Sequence, residues 1–303
     1  MKRIGIFLNL VEDDPQASAR IAAFREGLQS HGWADSDYSV DVRYGADSLK
    51  LRDKNAAELV ALAPDIIQAS SGHIIEALLQ AMKKEKRTIP IVFAGVIEPY
   101  NTGKVDSLTH PSNATGFGSI AFSIGAKWLE LLKQLAPHVR RVLVIRDSHT
   151  PAGVGQFRAM HEVKPSPGVD LLPIDVVDAG EIEQAIAEFA REPDGGVIVT
   201  ASTLAARHRP LITSLVNRHR LPAVFPNRMY ALGGGVLAYG PVTLDLYRSA
   251  AGYADRILKG AKPADLPVQT PAKYALDINL KTAKALGIDV PPALLAAADQ
   301  VIE

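Results

Sequence analysis

Short, unbroken apolar runs recur along this chain, each followed by a segment of helical periodicity, and that rhythm leaves few folds open. IGIFLNL, DIIQAS and IPIVFAGV carry almost no polar alternation. Strands covered by helices on both faces have this character, whereas a strand with one wet face alternates. Between them, Pro15 opens a helix to about His31, with Ala19, Ala22, Ala23 and Leu28 among polar neighbours. A second strand reads at SVDVRY, followed by helices at Leu49 to Leu62, ended by Pro64, and at about His73 to Lys84. Repeated βα units of this length imply a right-handed, doubly wound parallel sheet.

Residues 99 to 120, PYNTGKVDSLTHPSNATGFGSI, interrupt the rhythm with Pro, Gly, Asn, Ser and Thr and no strong period, which marks a candidate hinge. A second βα series follows: helix at about Ile124 to Leu135, strand RVLVIR, helix at about Gly155 to Lys164, strand DLLPIDV, helix at about Glu181 to Arg191, strand GGVIVT, helix at about Leu204 to His219 and strand LPAVFP. From Leu221 to Gly287 the order changes again, to a polar turn after Pro226, the turn Gly233-Gly234-Gly235, strand VLAYG, a helix from Leu244 to Leu258, a proline-studded connector and strand YALDINL. Two similar series joined by a polar linker suggest two lobes of one architecture, although no residue-level repeat is visible.

At 303 residues the chain accommodates two ordinary domains, and its 47% hydrophobic fraction can fill both cores. Lys+Arg and Asp+Glu stand at 33 each, so no net field draws the protein to nucleic acid or an anionic membrane. The absence of cysteine removes disulfides, thiolate metal sites and a Cys nucleophile. No apolar run reaches the roughly 18 residues of a membrane span. Lys2-Arg3 leads straight into a strand too short for a secretory h-region, so no signal sequence is readable. Two readings stay open: a cytoplasmic protein, or one whose leader has been removed.

Several segments together resemble a known family: FLNLVEDDPQASARIAAFREGLQSHGW, PIVFAGVIEPYNTGKVDSLTHPSNATGFG, WLELLKQLAP and ADRILKGAKPADLPVQTPAKYALDINLKTAKALGIDVPPALLAAADQVIE. They are similar to the ABC-transporter substrate-binding proteins, the family that includes the tryptophan-binding lipoproteins. The similarity covers nearly the whole chain. It implies the type I periplasmic-binding-protein fold, an α/β architecture of two Rossmann-like lobes with parallel sheets and a three-crossing hinge. Residues 1–118 plus 242–268 would form the first lobe and 119–241 plus 269–303 the second, with a ligand cleft between them. It also implies a periplasmic or lipid-anchored monomer that captures a small molecule by hinge closure and hands it to an ABC permease in the inner membrane. No cofactor, metal, nucleic acid or catalysis is expected.

In open α/β sheets ligands sit outside the carboxyl ends of the strands, which selects the candidate residues. Ser70-Ser71-Gly72-His73 follows the third strand and opens a helix, so its hydroxyls and unpaired N–H groups suit a carboxylate; a plain Ser N-cap would use the same groups internally. Asn9 follows the first strand, with Asp13 or Asp14 as cap of the helix behind Pro15. Glu98 follows the fourth strand and either accepts from a ligand amine or serves the hinge structurally. Thr200 and Ser202 follow GGVIVT, in a loop where amino-acid-binding relatives often carry an acid that this chain lacks. Asp147 either replaces that acid or faces solvent. Asn227 and Arg228 follow Pro226, and Arg228 can form a bidentate pair with a ligand carboxylate or bridge to protein carboxylates. Tyr239 either presents its ring to a flat ligand or packs at the hinge.

Other features carry less. Gly233-Gly234-Gly235 precedes a strand and lacks the Lys-Ser/Thr of a phosphate loop. The eight histidines show no metal-ligand spacing. The alternative to a transport receptor is a ligand-sensing bilobal regulator, but the first strand begins at Ile4, with no preceding helix-turn-helix and no basic footprint. For an enzyme, no convergent catalytic set is visible, although fold alone does not exclude one.

Overall fold

The computed structural model describes residues 1–45, 48–96, 113–119, 121–163, 168–175 and 178–303. The chain divides into two compact units, Met1–Ile120 with Val242–Ala272, and Ala121–Pro241 with Lys273–Glu303. The chain therefore passes from one unit to the other three times.

The first unit holds strands β1 (Lys2–Leu8), β2 (Tyr38–Tyr44), β3 (Ile66–Ala69), β4 (Ile91–Val96) and β5 (Ala114–Gly118) in the order β2-β1-β3-β4-β5. Every pairing is parallel. Helices α1 (Pro15–Ser30), α2 (Leu49–Ala61) and α3 (Gly72–Glu85) follow the first three strands. Asp14 caps α1 by accepting from the Gln16 N–H, with Pro15 in the first turn where its missing N–H costs nothing. Ile4, Ile6, Leu8 and Ile66 bury one face of the sheet, while Phe7, Ile67, Ala69 and Phe93 bury the other. That two-sided burial is the physical content of the unbroken apolar runs.

Strand β5 lies inside the stretch that reads as a structureless linker from composition. ATGFG has little strand propensity, and tertiary pairing decides its state: β4 binds one edge, and the other receives the connector, with Gly118 N–H donating to Gln269 O at 2.7 Å and Gln269 N–H to Gly116 O at 2.9 Å. The Thr115 hydroxyl donates to Leu266 O at 2.6 Å, and the Phe117 and Tyr253 rings lie 4.8 Å apart. These contacts carry the connector in this unit as far as Ala272, whereas the sequence reading changes lobes at 268/269.

The second unit has a seven-stranded sheet in the order β12-β11-β10-β9-β8-β6-β7. Its strands are β6 (Arg141–Arg146), β7 (Asp170–Asp175), β8 (Gly195–Val199), β9 (Ala223–Phe225), β10 (Leu237–Pro241), β11 (Tyr274–Asn279) and β12 (Gln300–Ile302). Its helices are α4 (Ile124–Leu135), α5 (Pro151–Glu162), α6 (Ala179–Phe189), α7 (Thr203–Arg207), α8 (Arg209–Arg218) and α9 (Arg228–Leu232); α10 (Thr243–Leu258) belongs to the first unit, and α11 (Leu280–Leu286) and α12 (Pro292–Ala297) close the chain.

Four details differ from the sequence reading. The pair β10–β11 is antiparallel within an otherwise parallel sheet: the chain leaves at Pro241 and returns at Tyr274 directly opposite, so it must run back. The expected helix from Leu204 to His219 is two helices meeting at His208, because Pro210 has no N–H to bond to the preceding turn and restarts the helix as a first-turn residue. Helix α5 begins at Pro151 rather than near Gly155, with the Thr150 hydroxyl accepting from Gly153 N–H. The last residues form strand β12, paired with β11, where helices alone were expected.

Candidate functional site

In the first unit the parallel strands bring the ends of β1 and β3 to one edge, side by side. Ser70 there is buried, and its hydroxyl oxygen accepts from Asn9 N–H at 2.6 Å while its own amide donates to Phe7 O at 3.2 Å. Ser70 thus ties the loop after β1 to the loop after β3. Ser71 is the N-cap of α3 in extended geometry (φ −161°, ψ 162°), its hydroxyl accepting from Ile74 N–H at 3.3 Å, with Ile75 N–H on the Ser71 carbonyl.

Four N–H groups open any α-helix without an intrahelical partner. The Ser71 hydroxyl serves one of those in α3, that of Ile74, and the N–H groups of Gly72 and His73 have no partner among the described residues. A Cβ added at Gly72 would meet no described residue within 4 Å. The His73 ring is exposed, with Nδ1 3.9 Å from a Glu76 carboxylate oxygen. Unpaired amides at the positive end of a helix dipole have the chemistry that suits an anionic group. Glu98 lies outside the described residues.

The candidates of the second unit are committed inward. Thr200 is fully buried, and its N–H and hydroxyl both donate to Ile145 O, at 2.9 and 3.1 Å. Ser202 caps α7, accepting from Ala205 N–H at 3.0 Å. Asp147 is largely buried and forms a turn in which its carboxylate accepts from His149 N–H at 3.0 Å. Asn227 caps α9, accepting from Met229 N–H at 3.1 Å. The Arg228 Nε lies 3.9 Å from an oxygen of Asp277, and the guanidinium remains half-exposed. The Tyr239 and Tyr274 rings stack with centroids 5.8 Å apart, and the Tyr239 carbonyl accepts from Trp128 Nε1 at 2.8 Å. The ends of β9 and β10 approach so closely that a Cβ at Gly240 would run into the Pro226 carbonyl.

Two residues of this unit escape a reading by motif. Asp277 lies in the apolar run of β11, buried, with Oδ1 lacking a hydrogen-bond partner. Burial pushes its carboxyl pKa up; nearby Arg228 opposes this and Asp299 adds to it. Gln156 is fully buried in α5 and accepts from Ala201 N–H at 3.0 Å. The available signal was its place four residues from both Ala152 and Met160, a polar side chain on the buried stripe of a helix. Tyr230 is buried against Phe225 with centroids 4.9 Å apart, and burial raises its hydroxyl pKa against the opposing charge of Arg209. Among the described residues no group of three His, Cys, Asp or Glu could hold a metal ion, and no helix is long and apolar enough to cross a membrane.

Comparison with known proteins agrees with this architecture. The family model described as ABC transporter substrate binding protein matches residues 4–302. A tyrosine-binding protein of Clostridioides difficile (strain R20291) is 26% identical over 286 residues, covering 94% of this chain and 81% of that protein. An ABC domain from Streptococcus pneumonia in complex with L-Trp superposes with a TM-score of 0.87 at 22% identity, covering 99% of each chain. The ligand-free, open structure of a substrate-binding protein with adhesive properties from Clostridium difficile gives a TM-score of 0.75 at 23% identity, covering 100% of this chain and 99% of that one. The family is one of solute-binding receptors rather than of enzymes. With a two-unit α/β fold and a family match over nearly its full length, this chain belongs to the ABC transporter substrate-binding protein family.

Proposed function

We propose that this protein is the receptor for an aromatic amino acid or a closely related aromatic carboxylate, and that it captures this solute by hinge closure. The observation that carries the carboxylate half is the N-terminus of α3, where the N–H groups of Gly72 and His73 have no partner among the described residues beside a capping Ser71. Such amides hold a carboxylate with charge-assisted bonds about twice as strong as neutral ones. The aromatic half draws support from the tyrosine-binding relative and the L-Trp-bound structural neighbour. Arg228, half-exposed and 3.9 Å from Asp277, is the candidate cation of the second unit for an anionic ligand.

In this reading no bond of the solute is broken, and closure is favoured only by the extra affinity of the closed state for it. The receptor works as a monomer outside the inner membrane, periplasmic or lipid-anchored, and delivers its load to a cognate ABC permease without contacting nucleic acid. Titration calorimetry with L-tyrosine, L-tryptophan and aromatic carboxylates lacking the amine tests the reading. Saturable binding of one of these, weakened at least about tenfold, or ~1.4 kcal/mol, in Ser71→Ala and Arg228→Ala, is the expected result. Binding that is unchanged in both variants would place the ligand elsewhere, and binding of none of the probes would remove the aromatic assignment.

A further inference from the structure

We propose that Gln156 is a positioning residue for ligand capture, holding the Thr200–Ser202 loop from beneath so that the loop enters the binding site already ordered. This rests on the proposed receptor function and on the expectation from the sequence that the loop after β8 borders the ligand, its own side chains serving as framework. Gln156 has no exposed surface, which is unusual for an amide side chain unless it is bonded. Its Oε1 accepts from Ala201 N–H at 3.0 Å, across 45 positions of sequence. Because the partner is a donor, the amide has one consistent orientation, with oxygen toward Ala201 and Nε2 turned away.

The tether is held at both ends. Thr200 is fastened to the end of β6 by its N–H and its hydroxyl, the Ser202 hydroxyl caps α7, and the Ala201 amide between them bonds to neither element. Gln156 supplies its partner. The backbone of Gln156 is itself pressed against the start of α4, where a Cβ at Gly125 would run into the Gln156 carbonyl. Helix α4 begins three residues after the chain enters this unit at Ala121. One helix position therefore joins the loop after β8 to the first segment beyond a crossing.

Nε2 is also buried and has no partner, a donor that water or a neighbouring polar group must satisfy if its desolvation is not to be uncompensated. Pure packing would be served by Met, which has similar length and no buried amide. Retaining a Gln with half its hydrogen-bonding capacity unmet points to the Ala201 bond as the reason for the residue.

The test compares Gln156→Met and Gln156→Glu with the wild type in the full chain, by amide exchange and by calorimetry with L-tyrosine and L-tryptophan. The Glu variant keeps an acceptor for Ala201, and the Met variant removes it at similar volume. In Gln156→Met, exchange at Ala201 should be at least about ten times faster while Val197 and Ile198 in β8 stay protected, the signature of a local opening. Affinity should fall at least about fivefold in Gln156→Met and return to within about twofold of wild type in Gln156→Glu. Unchanged exchange at Ala201 in the Met variant overturns the tether, and unchanged affinity there overturns its role in capture. If the wild type binds neither probe, the aromatic reading fails separately, and the exchange comparison still decides whether Gln156 orders the loop.

Discussion

The two units present opposite kinds of edge. At the end of β3 the first unit shows backbone donors with no partner among the described residues, Ser71 satisfying only part of the helix end. At the ends of β8 and β9 the second unit shows side chains already engaged: Thr200 on Ile145, Ser202 and Asn227 on their own helix starts, and Arg228 leaning on Asp277. The same residue types, Ser, Thr and Asn after a strand, thus do different work. In the function proposed above, one edge receives negative charge, and the other is a framework of short loops held in place.

Four substitutions can break or sharpen this contrast. The largest effect is expected from Gly240→Ala in the framework edge, because the new methyl must displace the Pro226 carbonyl. Overpacking against backbone should cost about 3 kcal/mol or more, read as a fall in Tm by circular dichroism. A variant with unchanged Tm would show that this edge yields easily and is no rigid framework.

Next comes Gly72→Pro at the receptor edge. Proline is favoured in the first helical position, and Ser71 already has the extended backbone that precedes a proline. Stability should change by less than about 1 kcal/mol, but the variant lacks one of the two amides offered to the ligand. Affinity for the aromatic carboxylate should fall about tenfold, measured by calorimetry. Undiminished affinity would mean that the Gly72 amide binds nothing.

Ser70→Ala should lower stability by about 1 kcal/mol, since it leaves the Asn9 N–H without its acceptor, and urea denaturation would read this as a lower midpoint. The smallest effect belongs to Asp277→Asn. Burial raises the folded-state pKa of Asp277, so the folded protein binds the proton more tightly than the unfolded chain. Its contribution to stability is therefore most favourable when it is protonated at low pH, and is lost as pH rises through the folded pKa. The stability of Asp277→Asn relative to wild type should accordingly rise from pH 4 to pH 7, by about 1 kcal/mol or less. A difference that falls over that range would show that Arg228 outweighs desolvation.

Much of the fold was legible because parallel strands covered on both faces must be apolar throughout, and IGIFLNL, RVLVIR and GGVIVT are. Local capping was legible in part: Asp14 was one of two cap candidates for α1 and Ser71 an alternative cap for α3, whereas Asn227, read in a polar turn, caps the short helix α9. What escaped is what depends on distant partners. ATGFG became a strand because β4 and the connector meet it, and QVI because β11 does. The site divides the same way. The candidate loops could be located from strand ends, but whether Ser70 faces a ligand or Asn9, and whether Arg228 is free or leans on Asp277, could not.

The sequence by itself determined the elements, their alternation and the loops available for binding, since these follow from local periodicity and capping within a few residues. The tertiary structure alone decided which polar groups are spent and which are left. A hydrogen bond such as Gln156 to Ala201, 45 positions apart, or Ser70 to Asn9, 61 positions apart, depends on strand order and register. Chemistry identical in sequence is therefore divided into framework and proposed receptor only when the sheet brings partners together at Ser70 and Thr200, and brings none among the described residues to the amides of Gly72 and His73.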